Sequence, residues 1–80
     1  MPTLLRDGPW RFFFYSDEGD PREPPHVHVT GGDAVAKFWL DPIELQSSKR
    51  LRAHEISRIR RIVERHQNEF LEAWYAHFES

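Results

Sequence analysis

Two histidines spaced i and i+2, His26 and His28, carry the densest chemistry in this chain. They sit in the stretch Arg22-Glu23-Pro24-Pro25-His26-Val27-His28-Val29-Thr30-Gly31-Gly32-Asp33-Ala34-Val35-Ala36. The two prolines stiffen the approach, and the run that follows reads as a strand. Side chains alternate faces along a strand, so the two imidazoles point one way and Val27 and Val29 the other. Paired imidazoles can bind a metal, trade protons or read an anion.

Each use makes its own demands. Metal-free cleavage of a phosphodiester needs a base, an acid and a cation on the phosphate. His26 and His28 could be the base and the acid, Lys37, Arg22 or Arg11 the cation, and Tyr15 a hydrogen-bond donor. A zinc-type site needs three or four ligands. His26 and His28 supply two, and Glu23, Asp17, Asp20 or His54 could supply a third. No second spaced pair is visible, so no metal or other cofactor is firmly expected, and a divalent metal at the pair stays open. A plainer reading outweighs both. The histidines form a half-exposed strand face, hydrogen-bonded to the acidic loop before them, with Glu23 or Asp20 as ion-pair partners.

These residues must be held by a small scaffold. Eighty residues with 14% aromatics make one domain spanning 1–80. A chain of this size buries a modest core, which aromatic rings enlarge and a second subunit could complete, so a homodimer is open. There is no cysteine, which excludes disulfides and thiolate metal sites. The first seven residues lack the apolar run of a signal peptide, and no segment approaches a membrane-spanning length. The expectation is a cytoplasmic protein with no membrane partner. Net charge is −2, but the charges are segregated. Seven basic and two acidic residues fall between Lys49 and Arg65, against four acids and one base between Asp17 and Glu23. Arg58, Arg61 and Arg65 could therefore touch phosphates, and nucleic acid is a candidate partner. The competing reading is a solvated helix face with Glu55–Arg58 and Arg65–Glu69 pairs.

The element pattern is β-rich over 1–46 and helical over 53–79. Residues 2–6 read as a strand, Asp7-Gly8-Pro9 as a turn, and Trp10 to Ser16 as an aromatic strand apolar on both faces. Asp17 to Pro25 is a loop. His26 to Thr30 and Ala34 to Leu40 form a hairpin around Gly31-Gly32-Asp33. A two-residue turn there places Val35, Lys37 and Trp39 on the histidine face; a three-residue loop would place Ala36 and Phe38 there instead. Ile43 to Gln46 reads as a short fifth strand. Ile56, Ile59, Val63, His66, Phe70, Trp74, His77 and Phe78 follow a 3.6-residue period unbroken by proline or glycine, which predicts one long helix. In that helix His66 and His77 read as core or interface residues. Arg52 is a poor N-cap, with Glu55 supplying half of a capping box. The expected architecture is α+β: an antiparallel sheet of four to five strands with one long C-terminal amphipathic helix on one face. Ile59, Val63, Phe70 and Trp74 should pack on Phe12 or Phe14.

Four segments together carry a resemblance. They are Phe12-Phe13-Phe14-Tyr15-Ser16-Asp17-Glu18-Gly19, Pro24-Pro25-His26-Val27-His28-Val29, Ala36-Lys37-Phe38-Trp39-Leu40-Asp41-Pro42 and Glu72-Ala73-Trp74. They resemble the bacterial family called domain of unknown function 4160, over nearly the whole chain. The resemblance implies a protein partner, because members often sit beside genes of the domain of unknown function 2442 family, as in toxin–antitoxin pairs. It implies no reaction. Relatives tend to have serine where this chain has Arg52. Two functions follow as expectations. The first is the binding component of such a two-gene module, with Arg22, Glu23, Arg58, Arg61 and Arg65 as binding residues. The second is a small nuclease-like enzyme in which His26, His28, Lys37 and Tyr15 are catalytic.

Overall fold

Short strands joined by tight turns dictate a meander. The computed structural model describes residues 3–15 and 23–78. Five strands run in sequence order and pair antiparallel throughout: β1 (Thr3–Asp7), β2 (Trp10–Phe13), β3 (His26–Gly31), β4 (Ala34–Leu40) and β5 (Ile43–Lys49). Gly8 and Gly32 open two-residue turns with φ of 58° and 59°. A positive φ at the first of two turn residues is the hairpin geometry that glycine adopts without steric cost. The β3–β4 turn is thus two residues, Gly32-Asp33, and His28 pairs with Lys37 across the ladder. The aromatic strand ends at Phe13, shorter than its composition suggests, and β5 runs on to Lys49. Most of the acidic loop, residues 16–22, lies outside the described residues.

One sheet face is apolar without interruption. Trp10, Phe12, Val27, Val29, Ala34, Ala36, Phe38 and Leu40 are buried there beneath Ile59, Ile62, Val63 and Phe70. Phe12 stacks on Phe70 at 5.8 Å and Phe14 meets Trp74 edge-on at 5.4 Å, so the expected helix–sheet contacts are present. Ile62, which the periodic stripe omitted, is also buried. Gly31 has a steric role: a Cβ there would come within 2.3 Å of the Trp10 ring, which lies against it.

The single long helix is instead two, α1 (Ala53–Arg65) and α2 (Gln67–Phe78). The break is at His66, whose N–H is shared between the carbonyls of Ile62 (3.1 Å) and Val63 (3.2 Å). Size explains it. A straight helix over 53–78 would be ~39 Å long, whereas five strands span ~24 Å. The bend keeps Phe70 and Trp74 on the sheet. Long-range and local bonds fix it: Gln67 Nε2 donates to the Leu40 carbonyl at 2.7 Å, and His66 Nδ1 lies 3.2 Å from Glu69 Oε1. The start of α1 follows the half capping box, with the Arg52 N–H donating to Glu55 Oε1 at 2.9 Å. His66 is partly buried against Phe70, but His77 is exposed and not a core residue.

Truncating the central contact tests this packing. Phe70→Ala removes a 2% exposed ring stacked on Phe12. The expected loss is about 3–5 kcal/mol, read as a shift of the urea midpoint with an unchanged slope.

Candidate binding face

The sheet face turned away from the helices carries the polar chemistry. The strand registers align Phe13, His28, Lys37 and Ser47 in one row across β2 to β5. Arg11 and Tyr15 flank the row on the β2 side. Arg11 stands over Phe13 at 4.5 Å, and His28 lies within ring-contact distance of Phe13 (5.7 Å) and Tyr15 (4.8 Å). Lys37 bridges Trp39, 4.7 Å from its ring, and Glu23, to which its Nζ donates at 3.4 Å. Tyr15, His28 and Lys37 border a recess of about 350 Å³ that is also lined by Val35, Ser47 and Lys49. Tyr15 and Val35 are among the large exposed apolar side chains of the molecule. Ser47 and Lys49 lie beyond the fifth strand that the sequence predicts over Ile43 to Gln46, and a register shift opposite Lys37 and Phe38 decides which residues of β5 face this way.

The two histidines have different environments. His28 is half-buried at the recess, whereas His26 is 0% exposed. The His26 ring lies 4.7 Å from Trp74, 5.7 Å from Trp39 and 5.1 Å from His28. Its Nδ1 is 3.0 Å from the Pro24 carbonyl, and since a carbonyl can only accept, Nδ1 carries the proton. The half-exposed pair expected from strand alternation is therefore one core histidine and one surface histidine. Alternation fixes the sheet face, but Trp74 of α2 packs against the first of them and helps to bury it.

The remaining candidates are spread widely. Glu23 is beside Lys37, and Arg22, Asp17 and Asp20 lie outside the described residues. His54 is exposed at the start of α1. Among the described residues no group of three His, Asp or Glu could hold a metal ion. Arg58, Arg61 and Arg65 line a second recess on the helix side, with Asp7, Gly8, Pro9, Trp10 and Ile62. The expected Glu55–Arg58 and Arg65–Glu69 pairs are not the ones formed. Glu55 binds the Arg52 backbone, Glu69 pairs with His66, and the intrahelical pair of α1 is Arg60–Glu64 at 3.6 Å. No described helix is long and apolar enough to cross a membrane.

The split pair makes an asymmetric prediction. His26→Ala opens a cavity between Trp39 and Trp74 and should cost about 2–4 kcal/mol, on the scale of other large-to-small core changes. His28→Ala should stay within about 1 kcal/mol. Parallel thermal and urea melts of the two variants measure the difference.

No curated protein and no solved structure matches the chain significantly. A family model does: "Domain of unknown function (DUF4160)", matched over residues 10–75. That span runs from the first residue of β2 to one residue past Trp74, and so takes in both histidines and the aromatic contacts that separate them. On this match the chain belongs to the DUF4160 family.

Proposed function

We propose that this protein is the binding component of a two-gene, toxin–antitoxin-type module and acts through a protein partner docked on its open sheet face. The burial of His26 carries the reading. A nuclease using His26 and His28 as acid and base needs both imidazoles at one phosphodiester, and a ring with 0% exposure does not reach a substrate. What the face offers instead is a binding surface: exposed Tyr15 and Val35 beside the cations Lys37 and Lys49, around a recess of about 350 Å³. Apolar groups ringed by charge are the usual anatomy of a protein contact. The matching partner surface is acidic at its rim and apolar at its centre. A domain of unknown function 2442 protein encoded nearby is the partner to try first.

Co-expression with that neighbour, scored by co-purification and growth, tests the proposal. The wild-type pair should co-purify. Val35→Arg combined with Lys37→Glu should weaken the complex at least about tenfold, the scale of losing a central contact, with the fold retained. A double variant that still binds like wild type removes the open face as the docking surface. Partner-independent RNA cleavage that disappears in His28→Ala would favour the enzyme.

A further inference from the structure

The second recess lies on the opposite side of the sheet and does not depend on the docking surface just described. Arg58, Arg61 and Arg65 recur at i, i+3 and i+7, so they form a row along ~10 Å of α1. Facing them is the turn Asp7-Gly8-Pro9, and between turn and helix lies a space of about 270 Å³. All three arginines are exposed, and none has a carboxylate partner among the described residues, since the carboxylates on their own helix are engaged elsewhere. Asp7 is the one carboxylate among the lining residues, which leaves the recess strongly positive in a chain of net charge −2.

Trp10 adds an independent observation. It lines the recess and is only 7% exposed, and its indole Nε1 is buried with no acceptor among the described residues. The Cε3–Cζ3 edge of the ring lies against Gly31 on β3. The N–H is on the other edge of the indole. A buried donor without an acceptor is costly and calls for an explanation. The N–H is sealed from the recess and meets no ligand directly, but the ring that carries it lines the recess and reports on what enters.

We propose that this recess binds the phosphodiester backbone of a single-stranded nucleic acid, with Arg58, Arg61 and Arg65 contacting successive phosphates. Guanidinium forks match phosphate oxygens two at a time. The row is one arginine wide and bounded on one side by the Asp7 carboxylate, which admits a single run of phosphates. Trp10 is too buried to stack on a base, so the contact reads backbone and not sequence.

Titration of ¹⁵N-labelled full-length protein with an RNA or DNA oligonucleotide tests this. The chain has three tryptophans, so three indole N–H resonances report separately. The Trp10 resonance, assigned with Trp10→Phe, should shift, while those of Trp39 and Trp74 stay. With three phosphates contacted, log K should fall with log salt at a slope of about −2. Arg58→Ala with Arg61→Ala should weaken binding at least about tenfold and cut the slope to about −0.7, since one phosphate contact remains. Arg6→Ala with Arg50→Ala, two exposed cations outside the recess, should change binding less than about twofold. Four outcomes overturn the proposal. One is no oligonucleotide binding at low salt. Another is equal losses in the two double variants. The third is a Trp10 shift produced as readily by inorganic phosphate or a mononucleotide, which would make this a small-oxyanion site. Loss of a protein partner with oligonucleotide binding intact would likewise assign the arginines to an acidic protein surface.

Discussion

The packing of Trp74 against the end of the sheet is the contact on which the rest of this structure depends. Its indole touches Phe14 at 5.4 Å, His26 at 4.7 Å and Phe78 at 4.2 Å, so one side chain joins β3, the segment after β2 and the C-terminal turn of α2. A straight C-terminal helix would carry that indole away from the sheet. The bend at His66 and the Gln67–Leu40 hydrogen bond bring it back. Once it is there, the first histidine of the Pro-Pro-His-x-His motif becomes part of the core, and only the second stays at the surface. The bend is thus a precondition of the split between the two histidines.

Much of this was legible in the sequence, and the misses have a common cause. Strand boundaries around the glycine turns, the face shared by His28 and Lys37, and the helix–sheet aromatic contacts all follow from period and turn chemistry, which are local. The burial of His26 depends on Trp74, 48 positions later in the chain. The helix break has no proline or glycine to announce it; it depends on a strand carbonyl that Gln67 meets only in the folded protein. Ser47 and Lys49 face the recess through a register shift, and no period-2 reading contains an extra residue. The ion pairs of α1 were misassigned because i,i+3 and i,i+4 spacing offers Glu55 and Glu69 several partners, and each took the one at a helix start. Propensity and pattern describe an element alone, whereas these features arise where elements meet.

The two recesses divide the molecule by chemistry as well as by position. The open face mixes aromatic rings, an imidazole and lysines, and its principal cation is already held by Glu23 and Trp39. The helix-side recess has a row of arginines and a buried indole donor. Helix α1 faces both requirements at once: Ile59, Ile62 and Val63 secure it to the sheet, Arg60 ties it to the Ile43 carbonyl at 2.9 Å, and its remaining arginines point to solvent.

The meander has a kinetic consequence. Strands β1 to β5 pair only with sequence neighbours, and three of the four connections are two residues long. Such hairpins close with little loss of chain entropy and form on microsecond timescales. The fourth connection, residues 14–25, is the long one, and it separates β2 from the histidine strand. Loop closure becomes costlier with length, so the β3–β4–β5 unit should assemble before β1–β2 joins it. Trp74 contacts residues on both sides of that gap. Docking of α2 is then the event that fastens two early-formed pieces together, which makes this indole a late, cooperative lock in the order of folding.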